Sequence, residues 1–178
     1  MKKKTKNITF IIVLIIVVVV INLFMLYGRL WARGGFGETK KENLAEKFLE
    51  TFPESRNFIK ISTVENDTTI VYLGITGTCG NCAIFQKSAI LNRWFVAETS
   101  TIIRAELCDS PTWGRVYLAM NKQNIVKAVV EKDGNLSEIE IDPAQPLIVI
   151  TDYDIDSITF FTESGEELSE KEFLNTVY

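Results

Sequence analysis

The spacing of apolar and polar positions divides the chain into one long apolar run and a series of short segments whose period changes. Residues 8–27 (ITFIIVLIIVVVVINLFMLY) carry no charge, and only Thr9 and Asn22 are notably polar. A helix rises ~1.5 Å per residue, so a run of this length covers roughly the 30 Å hydrocarbon thickness of a bilayer. Its β-branched content would favour a strand in water, but in lipid a lone segment satisfies its backbone only as a helix. The pattern predicts one transmembrane helix over 8–27, after a basic cytoplasmic start (1–7) and before a stalk (28–40).

Beyond the stalk the period alternates between helix and strand. Leu44, Ala45, Phe48 and Leu49 form one stripe, which predicts an amphipathic helix over 38–51 that stops before Pro53. Segments 58–62 and 69–76 are β-branched and aromatic with a turn at Glu65-Asn66-Asp67, and the second is apolar enough for a strand buried on both faces. Ile84, Leu91 and Phe95 fall at helical spacing, which predicts a helix over 83–98. Strands are expected at 101–107, 125–130, 146–151 and 157–161, a short helix at 115–121, and a turn at Asp133-Gly134-Asn135. Ser169 and Glu172 have capping-box spacing for a last helix. The order predicts an α/β domain over 41–178, a mixed sheet flanked by helices.

Charge divides the chain at the stalk. Residues 1–37 hold Lys2, Lys3, Lys4, Lys6, Arg29 and Arg33 with no acid, whereas 38–178 hold 13 basic and 23 acidic residues. The lysine cluster favours the amino end inside, and Tyr27 and Trp31 suit an interfacial belt, so the domain is expected outside the cytoplasm on a single-pass cell-membrane anchor. A cleaved signal peptide is the competing reading, but its apolar region is shorter and ends in a small-x-small site, whereas this run leads into YGRLWAR. So acidic a domain does not suit nucleic acid, where affinity comes from neutralising phosphates. The chain has no histidine, which excludes His-based triads, His-ligated zinc and imidazole acid/base chemistry.

Three cysteines remain, Cys79, Cys82 and Cys108, too few for a zinc ribbon or a four-cysteine cluster, and no metal or cofactor is expected. Cys79-Gly80-Asn81-Cys82 sits where strand 69–76 would become helix 83–98. A helix amino end favours a thiolate at Cys79, which could attack a partner's disulfide, and Cys82 could then release the mixed disulfide. A CxxC also occurs as half a metal site or as a plain structural disulfide, although so short a loop constrains the unfolded chain little.

The segment VYLGITGTCGNCAIFQKSAILNRW resembles the strand–CxxC–helix unit of the thioredoxin-like superfamily, and within it the membrane-anchored TlpA/ResA-like thiol-disulfide oxidoreductases. Pro146-Leu-Ile-Val-Ile-Thr-Asp152 matches the strand that a cis-proline opens in that group. The resemblance covers roughly 58–178. It implies a thioredoxin-like fold, Cys79 as nucleophile, Cys82 as resolving thiol, and a substrate groove of Thr78, Gly80, Asn81, Gln145 and Pro146. It also implies protein thiols and disulfides as partners. Three positions depart from the pattern: Thr78 replaces the usual tryptophan, Asn81 the common proline, and Leu73 the buried acid.

Cys108 ends a predicted strand and is either a third thiol in the exchange or a buried core residue. Thr76, three before Cys79, resembles the Thr-x-x-Cys of peroxiredoxins, but Tyr72 stands where those enzymes carry proline. Asp152, Asp154 and Asp156 lack the glycine and twelfth-position glutamate of a calcium loop and read as a solvated turn. Two functions follow from the sequence. One is a membrane-anchored extracytoplasmic oxidoreductase exchanging disulfides through the CGNC dithiol. The other is a non-catalytic membrane-tethered adaptor on the same scaffold.

Overall fold

A computed structural model describes residues 17–22, 39–52, 54, 57–77, 79–88 and 93–176. Eleven strands form three antiparallel sheets among the described residues. The first holds β1 (Lys60–Glu65), β2 (Thr69–Thr76), β3 (Cys79–Lys87) and β4 (Trp94–Ile102) in that order. The central sheet runs β5 (Glu106–Ser110), β6 (Gly114–Ala119), β9 (Leu147–Thr151). The third runs β11 (Glu167–Ser169), β10 (Ser157–Thr162), β7 (Ile125–Lys132), β8 (Asn135–Glu140). Helix α1 (Leu44–Thr51) follows a 3-10 turn at Lys41–Asn43, and α2 (Glu170–Leu174) comes after β11.

Period-two alternation sorts the apolar side chains into layers. From β2 and β3, Ile70, Ala83 and Phe85 face α1 and pack on Leu44 and Phe48. The intervening residues Val71, Leu73, Cys82 and Ile84 face the central sheet. There Val116, Leu118 and Ile148 meet them, while Tyr117, Ala119, Leu147 and Val149 point the other way, onto Ile125, Ala128, Phe160 and Phe173. The molecule is therefore a stack of helix, sheet, sheet, sheet, with a central sheet buried on both faces. Gly114 opens β6 at φ 90°, and a Cβ there would lie 2.0 Å from the Thr151 carbonyl oxygen, so only glycine lets β6 and β9 close at that end.

The thioredoxin-like α/β expectation is overturned. Residues 79–87 and 94–102 are strands where a helix was expected over 83–98, and 115–121 lies largely in β6. The reason is local. Thr76 pairs with Cys79 across a tight turn with Gly77 at φ 60°, so GTCGNC reverses the chain into a hairpin. Cys82-Ala-Ile-Phe85 is then apolar on both sides because β3 is an inner strand, and WFVAETSTI supplies the β-branched and aromatic residues of the next one. The expected strand at 101–107 is split: 101–102 end β4, 103–105 form the corner and 106–107 begin β5. The described residues contain no cis peptide bond, so Pro146 is trans.

The single-pass anchor is also corrected. Of the run 8–27 only residues 17–22 are described, as helix, with Val17 through Ile21 exposed. The rest of the run, the basic start at 1–7, and nearly all of the stalk lie outside the described residues. Among the described residues no helix is long and apolar enough to cross a membrane, so the membrane tether and the extracytoplasmic placement are not carried forward.

Candidate functional site: three thiols and an edge groove

Cys79 and Cys82 stand three residues apart on one extended strand, which fixes their relation. Successive side chains alternate faces, so Cys82 points with Ile84 into the layer against the central sheet, and Cys79 points with Asn81 and Ala83 to the α1 side. Three residues of strand span about 10 Å, beyond the roughly 7 Å Cα limit for a disulfide. Among the described residues no helix amino end adjoins Cys79. Its sulfur lies 3.1 Å from the Thr76 hydroxyl and donates to the Thr76 carbonyl at 3.6 Å. It is half-buried, while the other two thiols are buried.

The intervening residues serve the sheet. A Cβ on Gly80 would come within 3.0 Å of the Leu73 and Ile75 side chains, so this glycine permits close packing on β2. Asn81 is buried, and its carbonyl oxygen accepts from the Thr101 hydroxyl at 3.1 Å. Thr78 lies outside the described residues. Gln145 and Pro146 sit at the start of β9, where Pro146 is buried, and they line a depression of about 410 Å³ with Ile59, Ile75 and Gly77. The chain thus brings the proline toward the tip of the β2–β3 hairpin without uniting the two sulfurs.

The register does gather another group. Cys82 pairs with Ser100 and Ile84 with Glu98, which places Cys82, Ser100 and Glu98 on the inner face of the first sheet. Across the layer, Cys108 pairs with Val116 and Glu106 with Leu118 on the face of the central sheet that meets it. Burial pushes the Cys82 thiol well above its ordinary pKa, and the neighbouring Cys108, Glu106 and Glu98 act the same way. Burial, the charges of Glu98 and Glu106, and a hydrogen bond to Glu98 push Cys108 up to about 12. Both sulfurs are thiols at neutral pH, and a thiol is a poor nucleophile. The Ser100 hydroxyl donates to the Glu106 carboxylate at 2.9 Å and holds that acid beside the layer. No group of three or more sulfur or carboxylate ligands among the described residues is arranged to hold a metal.

Sequence reasoning missed Glu98, an acid within the largely β-branched and aromatic β4, and Glu106, the first residue of β5. That mismatch was the available signal, but their partnership depends on pairing between distant segments. The aspartate turn is a local structure, as expected. The Lys132 ammonium lies 2.7 Å from both Asp152 and Asp154, and Asp156 accepts from the Asp133 backbone N–H at 2.7 Å.

A second depression, of about 330 Å³, runs beside Ile61 through Val64 of β1, with Glu140, Asp142 and Pro146 on its opposite wall. It adjoins the first, since Gln145 and Pro146 line both. No family model matches this sequence, and no curated protein or solved structure matches it.

Proposed function

We propose that this chain is a non-catalytic protein-binding module. The observation that carries the reading is the placement of Cys79 and Cys82 on opposite faces of β3, which separates the sulfurs that dithiol exchange would have to join. Support comes also from the raised pKa of Cys82 and Cys108, which keeps both sulfurs protonated. A binding role suits a stack of antiparallel sheets in which an edge strand offers backbone groups to another chain.

The test is insulin reduction by dithiothreitol with the full chain added. The expected rate equals that of the reductant alone, for both the native chain and a Cys79→Ser/Cys82→Ser variant. An acceleration that the native chain gives and the variant loses would overturn the reading and restore thiol-disulfide exchange.

A further inference from the structure

We infer that the free edge of β1 is a docking site for an extended peptide carrying a basic residue. This deepens the binding reading by naming the site and the chemistry of the partner. Among the described residues β1 pairs with β2 alone, in unbroken register from Lys60↔Ile75 to Glu65↔Ile70. An edge strand leaves a row of backbone N–H and C=O groups available for another strand, and proteins usually blunt such edges with bulges, charges, short length or a cover.

The edges at β4, β11 and β8 are blunted in these ways. On β4 the pairing register shifts between Ile84 and Phe85, and Thr39 bridges to Trp94. β11 is three residues long. β8 carries Glu138 and Glu140. β1 has none of these devices along its middle. Ile59 is 72% exposed and Ile61 44% exposed, and the Lys60 ammonium donates to the Ala144 carbonyl, next to the Asp142 and Gln145 wall.

A groove runs beside β1. Four consecutive β1 residues form one wall, a length of about 13 Å. Ser62 is among its lining residues, and its hydroxyl is buried without a hydrogen-bond partner among the described residues. Ile141, Ile148, Glu140 and Asp142 also line it, and among the described residues no Lys or Arg does. An inserted strand would gain main-chain hydrogen bonds from β1, apolar contact for alternate side chains, and an ion pair for a Lys or Arg at the acidic end. A second copy fits less well. Residues 38–178 hold 23 acidic against 13 basic residues, so it would bring excess negative charge toward the same carboxylates.

The experiment uses the full chain and a fluorescein-labelled hexapeptide, Lys-Val-Thr-Val-Thr-Val, read by anisotropy. Saturable binding is expected, weakened by about tenfold when Glu replaces the peptide's Lys, which matches the loss of one charge-assisted contact. Methylating alternate backbone nitrogens of the peptide should abolish binding, and this control leaves the protein's own folding untouched. A Glu140→Gln/Asp142→Asn variant should bind the Lys and Glu peptides alike.

The proposal is overturned if the Lys peptide does not bind, if the methylated peptide binds equally, or if sedimentation shows a dimer that Ile61→Lys dissociates. The two readings fail separately. A chain that accelerates insulin reduction through Cys79 yet binds the peptide loses the non-catalytic reading and keeps this site. An inert chain that ignores the peptide does the reverse.

Discussion

The central sheet supports two interiors, one on each face, and they are unlike. Toward β7 and β10 the filling is aromatic and aliphatic: Phe160 stacks on Phe173 with centroids 4.1 Å apart, and Tyr117 meets Phe160 edge-on at 5.6 Å. Toward β2 and β3 it is made of smaller aliphatic residues and the two buried sulfurs, with half-buried Glu98 and Glu106 beside them. Alternate residues of the same strands build both, Tyr117 for one and Val116 and Leu118 for the other. A two-faced strand thus lets one chain segment hold a ring-packed core while its other side accommodates polarisable sulfur and nearby carboxylates.

The largest expected difference is in truncation. Phe160→Ala should lower the unfolding free energy by about 3–5 kcal/mol, the cost of a ring-sized cavity in a core that cannot collapse into it. Cys82→Ala should cost only about 1 kcal/mol, since it removes one sulfur from a layer of small side chains. Urea denaturation of both variants checks the pair, and equal losses would erase the distinction between the two interiors.

A smaller effect sharpens the same contrast at the polar edge of the aromatic side. The buried Tyr117 ring sends its hydroxyl to the Glu170 carboxylate at 2.7 Å, which fastens α2 and its Phe173 to the central sheet. Tyr117→Phe keeps the ring and deletes that bond, so a loss of about 1–2 kcal/mol is expected by the same denaturation. Glu170 retains Arg115 at 3.7 Å, which limits the penalty. A neutral substitution would mean that ring packing alone holds the helix.

The parts of this fold legible in sequence are those set by near neighbours. Segments 69–76, 125–130 and 147–151 announce strands by composition, Asp133-Gly134 turns with φ of 52° and 74°, and Ser169 with Glu172 forms the capping box its spacing predicts. The failure came at 79–98, where Ile84, Leu91 and Phe95 fit helical spacing while Cys82 through Phe85 fit an inner strand. Short apolar runs do not distinguish the two periods, and the CxxC tilted the choice toward helix. The partners of Cys82 were not legible, because Glu98 and Cys108 reach it through hairpin register and through stacking of one sheet on another. The open β1 edge was hidden for the same reason: 58–62 reads as a strand, but its place at the sheet's margin is a fact of topology.

The smallest effect separates the two interiors by titration. A thiol free in the unfolded chain ionises near pH 9, while Cys108 is held protonated up to about 12 and Cys82 is shifted in the same direction. Between those limits the native state keeps a proton that the unfolded state has lost, so stability is complete below about pH 8 and falls as pH rises. At pH 9 the unfolded thiol is half ionised, a loss of at most about 0.4 kcal/mol for each buried sulfur. Tyr117 is shifted upward too, but its window opens only near 10, so the fall between pH 8 and 9.5 belongs to the sulfur-containing side. Denaturation midpoints at pH 7.5, 8.5 and 9.5 should therefore decline for the native chain and stay flatter in a Cys82→Ala/Cys108→Ala variant. An unchanged slope in that variant would place the titrating groups elsewhere and leave the two buried sulfurs no different, electrostatically, from the hydrocarbon around them.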